Sequence, residues 1–393
     1  MKFKLLSLGI ASAFLFTLAG CGGTEETPAP APAPEAGETA ENVDVNIALI
    51  AHSPESILDD GSFNQGAWDG ITRFAADHGL VEGTDYRFFQ PHTASDEARI
   101  DLINEAISGG ANILVLPGFH FEASLYEAQD LFPDTKFILL DASPVGTRLI
   151  EEGEEGYVEG EENFESYVRI EDNVVAIHYA EEEAGFLAGY SAVMEGYREL
   201  GFMGGIAVPA VVRFGHGFIQ GAEYAAAELG LGEGEVTINY HYLGSFAPDP
   251  TITTNAASWF AQGTEVIFVA AGGAGGSVMA AAESAGGSVI GVDVDQRHLS
   301  PDTVISSAVK GLDVSVYDML TDFAEGHFVG GRELRFNAAI NGVGLPMDNS
   351  QFQNFTQEQY DSIFDALKTG RIQVINTLEM SEVPTSLVRV NEL

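Results

Sequence analysis

The sequence has little cysteine and little lysine. Cys21 is the single cysteine in 393 residues, so no disulfide can form within the chain and its stability depends on a hydrophobic core. After Cys21 the only lysines are Lys136, Lys310 and Lys368. Lysine and arginine together number 17 against 59 acidic residues, which gives a formal net charge of −42. Such an acidic surface repels phosphate backbones and argues against a nucleic-acid partner.

The position of the single cysteine predicts an export signal. Lys2 and Lys4 precede an apolar stretch over residues 5–18, which is shorter than the roughly twenty residues that span a bilayer as a helix. The run Leu18-Ala19-Gly20-Cys21 then resembles a lipobox. We therefore expect residues 1–21 to be a lipoprotein signal peptide and Cys21 to be the site of lipidation.

The residues that follow divide into a linker and a large globular part. Residues 22–44 are rich in Pro, Ala and Glu, and such a segment forms an extended spacer rather than a core. About 350 residues remain, which suits two lobes of ordinary size. We expect one lobe over residues 45–179 and 305–328, and a second over residues 180–304 and 329–393.

Apolar strands and amphipathic helices alternate along the globular part. Ten strand candidates run from Val45–His52 to Val304–Ala308, with helical segments between them. Continuous Val- and Ile-rich strands separated by helices indicate parallel sheets covered on both faces. The sequence therefore predicts an α/β protein with two Rossmann-like lobes.

Ligands of open α/β sheets bind beyond the carboxyl ends of the strands. The residues there are rich in carboxylates and aromatic rings, with one amide and one lysine: Asp59, Asn64, Trp68, Asp141, Phe214, Gly272, Asp293 and Lys310. Carboxylates accept hydrogen bonds from a vicinal diol, and aromatic rings stack on a planar base. This set of side chains favours a neutral ligand made of a sugar and a base.

The sequence offers little support for catalysis, a metal or a cofactor. The nine histidines do not have the spacing of a metal site, and no G-x-S-x-G motif is present. Gly273 and Gly275 precede a helix as in a dinucleotide fingerprint, but Val278 replaces the third glycine. We therefore expect no catalytic residue, no metal site and no cofactor.

Several motifs in this order resemble those of the basic membrane protein (BMP) family, which includes PnrA-like purine-nucleoside-binding lipoproteins of ABC transporters. They are Asp59–Gly70, Pro117-Gly118-Phe119, Phe137–Asp141, Glu182–Gly189, Phe214–Gly221, Gly244-Ser245-Phe246, Ala270–Gly276, Gly291–Gln296 and Lys310. The resemblance implies a type I periplasmic-binding-protein fold, whose two lobes close about a hinge on a nucleoside. It also implies a monomer anchored through Cys21 to the extracytoplasmic face of the cell membrane, with an ABC permease and ATPase as partners.

The resemblance also assigns roles within the cleft. It places Trp68 and Phe214 on the two faces of the base, and Asn64 and Asp141 at its edge. Asp293 and Lys310 hold the ribose hydroxyls, although Asp295 is an alternative to Asp293. Asp59 and the loop at Gly272 complete the pocket.

Three other functions stay open at this point. The same fold can bind another small ligand, such as a sugar or a signalling molecule. The aspartates of the cleft could serve a nucleoside hydrolase, and a nucleoside sensor or adhesin would need no transport partner.

Overall fold

The computed structural model describes residues 44–150 and 163–393. The predicted signal peptide with Cys21, residues 22–43 of the predicted linker and the acidic residues 151–162 lie outside these ranges. None of the helices in the described ranges combines the length and the apolar character needed to cross a bilayer.

Strands and helices alternate along most of the described chain. The helices are α1 (Phe63–His78), α2 (Asp96–Ser108), α3 (Glu122–Leu131), α4 (Glu181–Glu195), α5 (Pro209–Glu228), α6 (Pro250–Ala261), α7 (Gly275–Ala285), α8 (Leu312–Ala324) and α9 (Gln357–Lys368). The strands that precede α4 are β1 (Ile47–Ile50), β2 (Tyr86–Phe89), β3 (Ile113–Pro117), β4 (Lys136–Leu140), β5 (Val145–Leu149), β6 (Phe164–Val168) and β7 (Val174–Tyr179). The later strands are β8 (Glu199–Gly204), β9 (Val236–Tyr242), β10 (Val266–Ala270), β11 (Ser288–Asp293), β12 (Val304–Lys310), β13 (Arg332–Phe336), β14 (Val343–Gly344) and β15 (Val388–Glu392).

The strands form two large sheets, one for each lobe. The first has the order β13-β7-β4-β3-β1-β2, and all its neighbouring strands are parallel. The second has the order β14-β12-β11-β10-β8-β9-β15, in which only β14 runs antiparallel to its neighbour. Strands β5 and β6 form a separate antiparallel hairpin. The predicted α/β fold with two parallel sheets is confirmed.

Both faces of each large sheet are buried, as the continuous apolar strands predict. In β1, Ile47 and Leu49 pack in one core cluster, while Ala48 and Ile50 pack in another on the opposite face. A third cluster lies on the outer face of the second sheet under α6 and α7. Neighbouring carboxyl ends therefore lie along a single edge of each sheet, where polar residues can converge.

The chain crosses between the lobes three times. It passes from the first lobe to the second after β7, returns to the first after β12, and passes to the second again after β13. Helix α8, which follows the second crossing, packs against α1. Strand β12 therefore belongs to the second sheet and β13 to the first. This arrangement differs from the expected boundaries, which gave residues 305–310 to the first lobe and residues 332–336 to the second. The sequence of a strand does not show which strand it pairs with, and only this pairing reveals the sheet to which it belongs.

Helices α4 and α5 pack with their backbones almost in contact. A Cβ atom added at Gly185 or Gly189 of α4 would lie 2.1 or 2.0 Å from a carbonyl oxygen of α5. Gly217 and Gly221 of α5 face α4 just as closely, at 2.1 and 1.9 Å. These four glycines allow α4 to lie directly on α5. The start of α4 is thereby close to the edges of both sheets.

Candidate functional site

The lysine that ends β12 is the centre of a buried charged cluster. The side chain of Lys310 is 2% exposed, and its Nζ contacts the carboxylate of Asp141. Nζ also lies 3.4 Å from Oε1 of Glu181 and 3.6 Å from Oδ1 of Asp293. We call Lys310, these three acids and Arg213 the Lys310 cluster. It lies between the carboxyl ends of the two sheets.

Two of the three acids are held in an unusual backbone conformation at the end of a strand. Asp141 follows β4 in the first lobe with φ 57°, and Asp293 ends β11 in the second lobe with φ 66°. The left-handed region is sparsely populated by residues other than glycine, although Asp and Asn tolerate it best. Such a conformation costs on the order of 1 kcal/mol and is typical of functional sites. The two lobes thus bring one strained aspartate each to the same lysine.

The third acid, Glu181, is the first residue of α4 and is fully buried. Its Oε2 accepts a hydrogen bond from Nε of Arg213 at 2.7 Å, while its Oε1 faces Lys310. Sequence reasoning missed Glu181 and Arg213. The available signal was the run of three glutamates that opens an otherwise apolar helix.

Three aromatic rings surround the lysine. Its Nζ lies 5.0 Å from the ring centroid of Phe63, 5.4 Å from that of Tyr179 and 5.2 Å from that of Phe214. Rings at this distance attract a cation, and they also present flat apolar surfaces. Phe63 begins α1 in the first lobe, whereas Phe214 lies in α5 of the second. Each lobe thus contributes an aromatic ring to the surroundings of Lys310.

Burial and charge set the protonation of the cluster. Burial raises the pKa of Asp141 to about 7, although Lys310 acts in the opposite direction. Burial alone would lower the pKa of Lys310, but the three carboxylates outweigh this effect and raise it. For Glu181, burial would raise the pKa, but Lys310 and Arg213 together lower it. Lys310 therefore stays protonated at neutral pH. Within the Lys310 cluster, Asp141 is the acid that titrates near neutral pH.

The two lobes are joined by direct hydrogen bonds beside the cluster. Oγ of Ser62 donates to Oδ2 of Asp293 at 2.6 Å, and Nε2 of Gln296 donates to the carbonyl oxygen of Gly61 at 2.8 Å. Two cavities adjoin the cluster. One of about 630 Å³ reaches Arg213, and another of about 510 Å³ reaches Asp293 and Lys310.

Four of the eight residues predicted to bind ligand lie together. Asp141, Asp293 and Lys310 are in direct contact, and Phe214 flanks the lysine. Asp295 accepts hydrogen bonds from the backbone of Arg297 and the amide of Asn349. Asp293, rather than Asp295, therefore points to Lys310.

The other four residues lie elsewhere or only near the edge of the cluster. Trp68 is 9% exposed and packs in the core against Tyr86, with ring centroids 5.4 Å apart. Asn64 lies at the start of α1, where its amide donates to Ile57, and Gly272 follows β10 beside Phe246. Trp68 points inward because α1 presents this position to the core of the first lobe, and sequence spacing could not reveal that direction.

The start of α1 also differs from expectation. Asp59 is exposed, and the neighbouring Asp60 accepts the backbone N–H groups of Ser62, Asn64 and Gln65. Asp59 and Ser62 are residue types that commonly cap a helix. Because Asp60 takes the capping role, the hydroxyl of Ser62 is available for its bond to Asp293.

Comparison with known proteins agrees with this architecture. Residues 45–377 match the family model described as ABC transporter substrate-binding protein PnrA-like. The chain is 26% identical over 369 residues to the ABC transporter nucleoside-binding protein BmpA of Lactococcus lactis, covering 89% of this chain and 93% of that protein. It is 31% identical over 194 residues to basic membrane protein D of Borreliella burgdorferi, covering 48% and 55% of the two chains.

A solved structure shares the fold. The solute-binding protein of an ABC transporter system from Aeropyrum pernix superposes with a TM-score of 0.68 at 22% identity, covering 86% of this chain and 95% of that one. Its similarity extends through both lobes, so the type I periplasmic-binding-protein fold is confirmed.

Proposed function

The chain belongs to the PnrA-like family of ABC transporter substrate-binding proteins, and we propose that it is a lipid-anchored receptor that delivers a purine nucleoside to an importer. Its role is binding and not catalysis. Lipidation of Cys21 would hold the two lobes at the extracytoplasmic face of the cell membrane, near the permease and ATPase. A tether of this kind raises the effective concentration of the receptor at its transporter.

The observation that carries the proposal is the Lys310 cluster with its aromatic rings. Carboxylates that face a buried ammonium accept hydrogen bonds from hydroxyl groups, and the ammonium donates to them. Asp293 and Lys310 are therefore assigned to the ribose hydroxyls. The similarity to a protein named as nucleoside-binding supports the same class of ligand.

We assign the faces of the base to Phe63 and Phe214. Both ring centroids lie about 5 Å from the same ammonium nitrogen, one from each lobe. We choose Phe63 rather than Trp68 as the second ring, because the ring of Phe63 lies beside the ammonium of Lys310 whereas that of Trp68 pairs with Tyr86. Asn64 and Asp141 remain the candidates for the edge of the base, and Asp59 and Gly272 for the rim of the pocket.

The test compares two neighbouring aspartates. Asp293→Asn should weaken the binding of inosine or guanosine by about 1–3 kcal/mol, because a buried polar contact to the ribose is lost. Asp295→Asn is the matched control and should bind as the unmodified protein does, since Asp295 bonds to Arg297 and Asn349. Isothermal titration calorimetry measures both affinities.

Two further measurements bear on the ligand itself. Mass spectrometry of the protein under native conditions identifies any small molecule that copurifies with it, and a nucleoside is expected. A 2′-deoxynucleoside should bind more weakly than the ribonucleoside. If Asp293→Asn and Asp295→Asn bind inosine equally well, the ribose assignment is wrong, and a copurified sugar would point to a different ligand class.

A further inference from the structure

The Lys310 cluster holds more acidic than basic groups. Lys310 and Arg213 face three carboxylates, those of Asp141, Glu181 and Asp293. With every group ionised, the cluster would carry a net charge of −1 in a region from which water is largely excluded. An uncompensated buried charge is costly, and a bound proton is the simplest way to remove it.

Hydrogen bonding shows where the proton would reside. Glu181 contacts both cations, and Asp293 accepts the hydroxyl hydrogen of Ser62. Asp141 contacts Lys310 through Oδ2 only, and its buried Oδ1 accepts no hydrogen bond from any residue that the structure describes. Oε1 of Glu181 also lacks a hydrogen bond, but it lies 3.4 Å from Nζ of Lys310. Oδ1 of Asp141 is therefore the oxygen best able to take a proton.

The charged and titratable surroundings of Asp141 agree with this choice. Lys310 favours its ionised form, whereas Glu181 and Asp293 oppose it. Arg213 lies farther away beyond Glu181, and the nearby hydroxyl of Tyr179 forms a hydrogen bond with Ser315. Burial is the largest influence and raises the pKa of Asp141 to about 7.

We propose that Asp141 carries a dissociable proton in the free protein and that ligand binding changes the occupancy of this proton. Asp141 thereby selects between bases whose edge donates a hydrogen bond and bases whose edge accepts one. This inference rests on the proposed nucleoside function. An edge that donates an N–H group, such as N1–H of inosine or guanosine, requires the ionised carboxylate. An edge that accepts, such as N1 of adenosine, requires the protonated acid.

The two ligand classes then respond to pH in opposite directions. For a group that titrates near neutrality, the ionised fraction rises about tenfold between pH 6 and pH 8. Inosine should bind about tenfold more tightly at pH 8 than at pH 6, and adenosine about tenfold less tightly, because each ligand binds only one protonation state. Inosine binding at pH 6 should release a proton, whereas adenosine binding at pH 8 should take one up.

Calorimetry of the unmodified protein in two buffers of different ionisation enthalpy counts this proton directly and requires no variant. Asp141→Asn should remove the opposite pH responses of inosine and adenosine. Glu182→Gln is the matched control, since burial also raises the pKa of Glu182 to about 7 although it pairs with Arg335 outside the cluster. That variant should keep both responses. Equal affinities at pH 6 and pH 8, with no proton exchanged, would overturn the proposal.

A measurement without ligand separates this inference from the proposed function. Infrared spectroscopy of the unliganded protein should show a carboxylic-acid C=O band that disappears as the pH rises through 7. Glu182 contributes a second band of this kind, because its pKa is also raised to about 7. The Asp141 component should be lost in Asp141→Asn and kept in Glu182→Gln. If no nucleoside binds but the band behaves in this way, the proposed function fails and the proton on Asp141 stands. If the Asp141 band is missing, the proposal of a proton on Asp141 is wrong.

Discussion

Replacing Lys310 by methionine tests whether the cluster depends on a single cation. The side chain of Lys310 is 2% exposed and faces Asp141, Glu181 and Asp293. Methionine keeps most of the apolar stem and removes the ammonium. Glu181 would then retain Arg213, whereas Asp141 and Asp293 would lose their cation.

The size of the effect follows from these contacts. Removing one partner of a buried ion pair costs about 3–5 kcal/mol, because the remaining charge stays buried without compensation. We therefore expect Lys310→Met to lower the free energy of unfolding by about 3–5 kcal/mol at pH 8. The loss should be smaller at pH 5, because burial raises the pKa of Asp141 to about 7 and the protonated acid no longer needs a cation.

A second substitution distinguishes charge from packing. Adding Asp141→Asn to Lys310→Met removes the acid closest to the missing ammonium and should recover part of the lost stability. The exposed Lys368, whose Nζ lies 3.3 Å from Oδ1 of Asn341, provides the control. Lys368→Met should change the free energy of unfolding by no more than about 0.5 kcal/mol.

Urea unfolding followed by circular dichroism at pH 5 and pH 8 measures all of these variants. The double-mutant cycle gives the coupling energy between Lys310 and Asp141. A loss that is independent of pH, with no recovery in the double variant, would refute the electrostatic reasoning. It would mean that Lys310 contributes through the packing of its stem.

Two further predictions concern the helix crossing and the aromatic pair. Gly221→Ala should destabilise the protein by about 1–3 kcal/mol, since its Cβ would lie 1.9 Å from the carbonyl oxygen of Phe186. A Cβ at Gly276 in α7 meets nothing within 4 Å. Gly276→Ala should therefore leave the melting temperature unchanged in thermal unfolding. Phe63→Ala should weaken nucleoside binding about tenfold or more, because the ring of Phe63 faces Lys310. Trp68→Phe should leave the affinity unchanged, because Trp68 packs against Tyr86 in the core. Calorimetry measures both affinities. Equal melting temperatures for the glycine pair, or the reverse order of affinities for the aromatic pair, would contradict these assignments.

Much of the fold could be predicted from sequence periodicity. The sequence pattern predicts helices over residues 63–78, 96–108 and 181–195 and strands over residues 174–179 and 288–293. These are the bounds of α1, α2, α4, β7 and β11. Helix α5 begins at Pro209 rather than at the predicted Phe214, since proline suits the first turn of a helix. Strands β5, β6 and β13–β15 were not predicted, because short or exposed strands lack a continuous apolar run.

The site was predicted in part for a similar reason. An aspartate at the end of an apolar strand is conspicuous in sequence, which is how Asp141 and Asp293 were found. The direction of a side chain on a helix depends on what packs against that helix. The sequence could not show that Trp68 points into the core, nor that Glu181 of α4 reaches a lysine 129 positions later in the chain.

The first turn of α4 links the charged cluster to the crossings between the lobes. Glu181 faces Lys310 at the second crossing, and Glu182 pairs with Arg335 just before the third. Glu183 accepts the backbone N–H of Ala338 at 2.7 Å, just after β13. Three successive glutamates at the end of the first crossing thus bind all three connections. A change of charge at Lys310 therefore acts on the turn of helix that contacts all three connections.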